Sequence, residues 1–308
     1  MNYFDCHADT LTVIEKKGET LWKNSCDLDL ERTSSFAEKY TQIFSIWKDA
    51  MKMNGQNPQK EFDKLYEKAV SLLKQEEKHI CLCKNGQDMM DAHKQNKAAA
   101  FFSIEDISIM GEDAYRAKEL GFSFVMLTWN YENLYGCGSV FAQEKGLTQE
   151  GKRLARELLR QKLVLDISHL SDQGTEDIFL LTDMPVIASH SNVRELCSRP
   201  RNLKREQIQE LIRRKGLIGM NFFAPFVEKE PGMENLFRHM DYILELGGEN
   251  VLALGTDFDG CAGEFPRGIS GVQSIPALRA VMERNGFSPN LLDKIFFDNA
   301  YRFVVNNL

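Results

Sequence analysis

The stretch Phe4-Asp5-Cys6-His7-Ala8-Asp9-Thr10 joins an apolar, strand-forming start to a histidine and an aspartate two residues apart. Side chains at i and i+2 of a strand face the same way, so His7 and Asp9 are expected to converge on one point. An imidazole and a carboxylate meeting there outline a cation site. His-x-Asp is a short pattern that also arises by chance, so the rest of the chain has to decide its meaning.

The same ending recurs. Ala98-Ala99-Ala100-Phe101-Phe102-Ser103-Ile104 runs into Glu105, Leu163-Val164-Leu165-Asp166-Ile167-Ser168 into His169, and Pro185-Val186-Ile187-Ala188-Ser189 into His190. A fourth run, Val251-Leu252-Ala253-Leu254-Gly255-Thr256, ends in Asp257. Each places a residue able to bind a metal or move a proton at the carboxyl end of a β-rich run. The chain has six histidines, and His7, His169 and His190 all fall at such ends.

Strand-like runs lie near 3–9, 41–47, 98–105, 122–129, 163–169, 185–190, 217–223 and 251–257. Helical patterns separate most of them. In Gln149 to Lys162, Leu154, Leu158 and Leu159 share one face while Arg153, Arg156 and Arg160 face water. Thr175 to Leu181, Lys204 to Lys215 and Glu234 to Leu246 read the same way, with Gly216 and Gly247 placed as left-handed caps. Repeated strand and helix in one chain predict an α/β fold, a parallel (β/α)8 TIM barrel. It forms a single domain over 1–308, with closing helices over about 270–308 that pack Leu291, Ile295, Phe296 and Tyr301 on it. In such a barrel the site lies at the carboxyl ends of the strands, where the histidines and carboxylates were found.

Composition narrows the function. The 308 residues are 43% hydrophobic and 27% charged, a globular balance. No apolar stretch of about 18 or more residues occurs, so no membrane span is expected, and Met1 leads straight into the first strand without room for a signal segment. Net charge is -7, and the basic residues between Lys204 and Lys215 are interleaved with Glu206 and Glu210, which argues against a nucleic-acid partner. Seven scattered cysteines lack a C-x-x-C pair, so reduced thiols and a cytoplasmic location are expected; Cys81-x-Cys83 reads as a short strand and Cys6 as packing. Two connections are long: 51–60, a polar surface loop, and the Gly-rich stretch from Leu134 to Gly146, a substrate lid or a plain connection.

Three ordered blocks carry a family resemblance: Gly146-Leu147-Thr148 through Leu163 to Ser171, then Pro185 to Asn202 with Ser189-His190-Ser191 and Ser198-Arg199-Pro200-Arg201-Asn202, then Gly255-Thr256-Asp257-Phe258-Asp259-Gly260. The chain resembles, over nearly its whole length, the renal or membrane dipeptidases, zinc metallopeptidases with an amidohydrolase-like barrel. The resemblance implies two zinc ions per chain, with His7 and Asp9 on one, His169 and His190 on the other, and Glu105 bridging. Such a pair polarises the scissile carbonyl and acidifies a bridging water. It further implies Asp257 as the proton-handling carboxylate, with Asp259 ranked second, and Arg201 as the fork that grips the substrate's terminal carboxylate, with Arg199 close enough to compete for that role. Dipeptides, including those with a C-terminal D-residue, become the expected substrates, and a homodimer the expected assembly.

One departure stands out. Where the family commonly has a histidine after Leu-Thr, this chain reads Leu127-Thr128-Trp129-Asn130-Tyr131. Trp129 has one N–H donor and cannot become a cation, so stabilisation of an oxyanion falls to Asn130, Tyr131 or the metals. Another amidohydrolase or deaminase activity on the same barrel is the nearest alternative, and a non-catalytic peptide-binding barrel the next.

Overall fold

The computed structural model describes residues 1–14, 19–53 and 55–308. Its strands are β1 (Tyr3–Ala8), β2 (Tyr40–Trp47), β3 (Ile80–Leu82), β4 (Ala98–Glu105), β5 (Phe122–Met126), β6 (Val164–Asp166), β7 (Ile187–Ala188), β8 (Leu217–Met220) and β9 (Leu252–Leu254). All pair in parallel. Because β2 bonds directly to β4, and β1 to β9, eight strands close into the expected barrel, while β3 adds only to the first residues of β4. This short extra strand contains Cys81.

Alternation along β4 shows how the sequence chooses inside from outside. Ala99 and Phe101 join the barrel-interior cluster with Phe4, Cys6, Ile43, Phe124, Val164, Ile187, Leu217 and Ala253. Ala100, Phe102 and Ile104 pack outward against the helices. The inward set continues through Ser103 to Glu105, so the hydrophobic filling of the barrel carries the carboxylate at its top. The lower end is plugged by Phe297, Ala300, Phe303 and Val304 of the closing helices. Ile295 and Phe296 are buried there, and Leu291 and Tyr301 are partly buried against the core.

The predicted helices form with sharper ends. Thr148 caps Gln149–Arg160 by accepting from the Gly151 amide, and Ser171 caps Asp172–Leu181 in the same way at Gly174. Two further helices span Arg205–Arg213 and Met233–Glu245. Gly247 has φ 93°, as a left-handed cap requires, but after the preceding helix the left-handed residue is Lys215, at φ 55°. Gly216 is small for another reason: a Cβ there would collide with the Val186 carbonyl. Within 51–60, residue 54 lies outside the described residues; helix Pro58–Gln75 follows, its first amides capped by Asn57.

The expected strands 163–169, 185–190 and 251–257 are cut short at their carboxyl ends. There the backbone leaves the ladder to hydrogen-bond side chains: the Asp166 carboxylate accepts from the amides of Ser168 and Ser189, and the Asp5 carboxylate from the Thr256 amide and hydroxyl. Phe101 is fully buried and edge-on to Phe124 inside the barrel. Phe101→Ala is expected to lower the unfolding free energy by about 3–5 kcal/mol in a urea titration.

Candidate metal centre and active site

Glu105 faces two ways. Its Oε2 lies 3.2 Å from His7 Nε2 and its Oε1 2.7 Å from His169 Nε2. On the first side His7 Nε2 is 3.8 Å from Asp9 Oδ2 and 3.9 Å from Asp257 Oδ1. On the second, His169 and His190 oppose their Nε2 atoms across 2.9 Å. Within the His7–Asp9–Glu105 group, and again within Glu105–His169–His190, the donor atoms lie within 4.8 Å of one another.

His7 and Asp9 do meet, though not by simple strand alternation. Between Asp5 and Ala8 the register with β2 slips, because three steps on β1 match two on β2. This bulge re-aims His7, and Asp9 stands past the strand, at the start of the short helix Thr10–Val13. Asp257 is also off the ladder, at φ 61°, with its amide donating to the His7 carbonyl and its Oδ2 accepting from Asn221 Nδ2. Gly260 packs over both carboxylates, and a methyl group there would strike Asp257 Oδ1 and Asp9 Oδ2. Asp259 turns away from the site: its oxygens accept from the Thr10 hydroxyl and the Asp27 amide, tying down the 19–29 segment.

The residues fit a metal. Both ring nitrogens of His7 and Asp9 Oδ1 are buried without a hydrogen-bond partner, a cost that a cation removes. Outer contacts hold the other imidazoles: Asn130 Oδ1 lies 2.9 Å from His169 Nδ1 and Ser189 Oγ 2.8 Å from His190 Nδ1, which leaves each Nε2 for an ion. Burial, then Arg201, brings His169 down to about 4, and burial with the charge of His7 holds His190 well below its ordinary value. Both are neutral donors at neutral pH. Burial pushes Asp9 up to about 6 and Asp257 to about 7, with Glu105 repelling both. For His7 burial acts downward, but the charges of Glu105 and Asp9 outweigh it and raise the ring well above its ordinary value. Without cations, protons gather at these ligands.

A cavity of about 240 Å3 opens onto the cluster, lined by Trp47, Trp129, Asn130, Arg201, Phe223 and Phe226 besides the ligands. Arg201 is 4% exposed; it donates to the carbonyls of Ser168 and His190, and its guanidinium lies 5.5 Å over the Phe226 ring. Its Nε has no partner. Burial lowers it to about 10, so it remains a cation. Arg199 lies elsewhere, exposed and bonded to the Pro225 carbonyl beside a separate cavity. Of the residues expected after β5, Trp129 lines the cavity and Asn130 orients His169, whereas Tyr131 is 39% exposed and leans edge-on against Trp129. The connection that follows is pinned, with the Ser139 amide on the His169 carbonyl and the Ser171 amide on the Cys137 carbonyl. None of the described residues lining the cavity comes from this stretch.

Sequence reasoning passed over Trp47, Asn221, Phe223 and Phe226. Trp47 and Phe223 carried a readable signal, because they close the expected strands 41–47 and 217–223, the rule that found Glu105. In the structure Asn221 stands just past β8, Phe223 is the N-cap of the short helix Ala224–Val227 and Phe226 lies within that helix, which no spacing announces.

The model of the membrane dipeptidase family (Peptidase family M19) matches residues 1–307. The chain belongs to this family. An uncharacterised protein from the pqqA 5′ region of Klebsiella pneumoniae is 30% identical over 190 residues, 58% of this chain and 69% of that protein. Dipeptidase tcpJ of Claviceps purpurea (strain 20.1) is 28% identical over 225 residues, 70% of this chain but 53% of its own length. The match thus spans from about half to two thirds of these relatives. Dipeptidase AC, a metallo peptidase, superposes with a TM-score of 0.87 at 24% identity, covering 100% of this chain and 98% of that one. A Rhodobacter sphaeroides metallo peptidase, liganded with a phosphinate mimic of L-Ala-D-Ala, gives 0.86 at 24% identity over 100% and 99%. At such identity these likenesses speak for the shared membrane dipeptidase fold.

Because protons and cations compete for Asp9, Asp257 and His7, metal binding is expected to release protons and to weaken as pH falls from about 7 through about 6. Zinc titrations by calorimetry in buffers of different ionisation enthalpy measure both effects. Asn130→Ala, which frees the His169 ring, is expected to weaken the binding of one ion by about 10–100-fold while leaving the other.

Proposed function

We propose that this member of the membrane dipeptidase family is a zinc-dependent dipeptidase with two ions per chain. The observation that carries the reading is the single Glu105 carboxylate set between His7 with Asp9 and His169 with His190. These five residues would hold the pair, and a divalent pair there supplies Lewis acidity toward the scissile carbonyl and lowers the pKa of water.

The remaining steps belong to the chain. Arg201, protonated and fixed by two carbonyls, offers two parallel donors to a terminal carboxylate, and the buried setting strengthens that contact. Asp9 and Asp257 line the same cavity and add negative charge that favours a free amino group. A cavity of about 240 Å3 lined by both a cation and anions suits a substrate of two residues bearing both termini. Asp257, brought by burial to about 7, is poised to take a proton from the attacking water and pass it to the leaving amine, its Oδ2 steadied by Asn221. Trp129 cannot supply a cation to the developing oxyanion, a charge that a divalent pair held by His7, Asp9, Glu105, His169 and His190 would offset. The phosphinate mimic held by the Rhodobacter protein supports dipeptides with a C-terminal D-residue as a second substrate group. The seven cysteines, all unpaired, support a reducing compartment. Among the described residues no helix is long and apolar enough to cross a membrane.

Metal content by mass spectrometry, together with amino-acid release from L,L and L,D dipeptides, tests the reading. About two zinc ions per chain are expected, and Asp257→Asn is expected to lower kcat by about 100-fold or more with metal retained. Arg201→Ala is expected chiefly to raise KM. Full metal loading without release of amino acids from any dipeptide would move the function to another amide or amine substrate.

A further inference from the structure

Trp47 and Trp129 stand beside each other on one side of the mouth, with ring centroids 4.9 Å apart and planes tilted by 53°. Both line the cavity. Trp47 is paired in register with Glu105, and the Trp129 ring lies 6.1 Å from that of His169. Trp47 Nε1 is buried with no hydrogen-bond partner, so ring contact with Trp129, not a polar anchor, holds this indole in place.

The order of strands around the barrel fixes what these rings face. β2, β4 and β5 form one arc, and β7, β8 and β9 the arc across the mouth from it. Arg201 is anchored on the carbonyls of Ser168 and His190, just after β6 and β7, whereas Trp47 ends β2 on the other arc and Trp129 packs against it. On the dipeptidase reading above, a substrate held at Arg201 with its scissile carbonyl at Glu105 extends its N-terminal residue toward Trp47 and Trp129. Two large flat apolar faces there gain from covering a bulky side chain and stay partly wet beside a small one.

We propose that Trp129, braced by Trp47, determines specificity for the N-terminal residue, selecting dipeptides whose first side chain is large and apolar or aromatic. The wall replaces polar readout with area, and area discriminates by side-chain size.

The test uses the zinc-loaded protein with Gly-Ala, Leu-Ala and Phe-Ala against the reversed series Ala-Gly, Ala-Leu and Ala-Phe. Phosphinate mimics of Gly-Ala and Phe-Ala are also titrated, with tryptophan fluorescence as the readout. Phe-Ala is expected to exceed Gly-Ala in kcat/KM by more than about tenfold, with a narrower spread in the reversed series. Trp129→Ala and Trp129→His, checked for folding by circular dichroism, should each bring the Phe-Ala to Gly-Ala ratio toward one, mainly through KM. Equal kcat/KM for Phe-Ala and Gly-Ala, a spread that follows the C-terminal residue, or an unchanged ratio in both folded variants overturns the proposal. If no dipeptide is cleaved, tighter binding of the Phe-Ala mimic that Trp129→Ala abolishes sustains the aromatic wall and removes the dipeptidase reading. Equal binding of the two mimics removes the wall.

Discussion

Everything at the mouth of this barrel depends on one buried carboxylate doing duty on two sides. Glu105 is 4% exposed and lies between imidazoles, with Asp9 and Asp257 close enough for their charges to repel it. Three carboxylates in so small a space, two of them buried and the third half-buried, are tolerable only with compensating positive charge. His7 supplies part of it as a protonated ring, and a pair of divalent ions would supply all of it. The inner side chains of the lower barrel serve this arrangement by filling the space beneath Glu105, so that the carboxylate has nowhere to retreat.

The backbone around the cluster is correspondingly constrained. Asp257 adopts a left-handed conformation unusual for a residue with a side chain, and it holds it through the His7 carbonyl and Asn221. Gly260 leaves the space that lets Asp9 and Asp257 approach each other. Local strain of this kind persists where surrounding contacts over-determine it, as they do here.

Much of this was legible in the order of residues. Strand-forming runs ending in His7, Glu105, His169, His190 and Asp257 identified both the barrel and the rim on which its chemistry gathers, because the period of two and the parallel fold leave few other places for those side chains. The detail that escaped is of three kinds. The approach of His7 to Asp9 relies on a bulge, which hydrophobic pattern does not register. The choice of Arg201 over Arg199 depends on which of two nearby arginines the chain folds inward, a matter of tertiary packing against Phe226. Asn130 lines the cavity and also holds the back of His169, and Phe226 arrives from a turn that has no periodic signature. Trp47 and Phe223, by contrast, obeyed the strand-end rule and were simply not metal-binding in type.

The hydrogen bonds from Thr256 to Asp5 join the first strand to the last at the level of the cluster. His7 and Asp257 are thus separated by most of the polypeptide, and neither half of the chain contains a complete set of ligands. During synthesis on a ribosome the early strands emerge with His7, Asp9 and Glu105 exposed and unassembled, able at most to make a loose, partial chelate. The set is complete only when β6 and β7 bring His169 and His190 beside Glu105. A chain that stops before β7 therefore carries at most four of the five candidate ligands, and the paired arrangement around Glu105 exists only in the closed barrel.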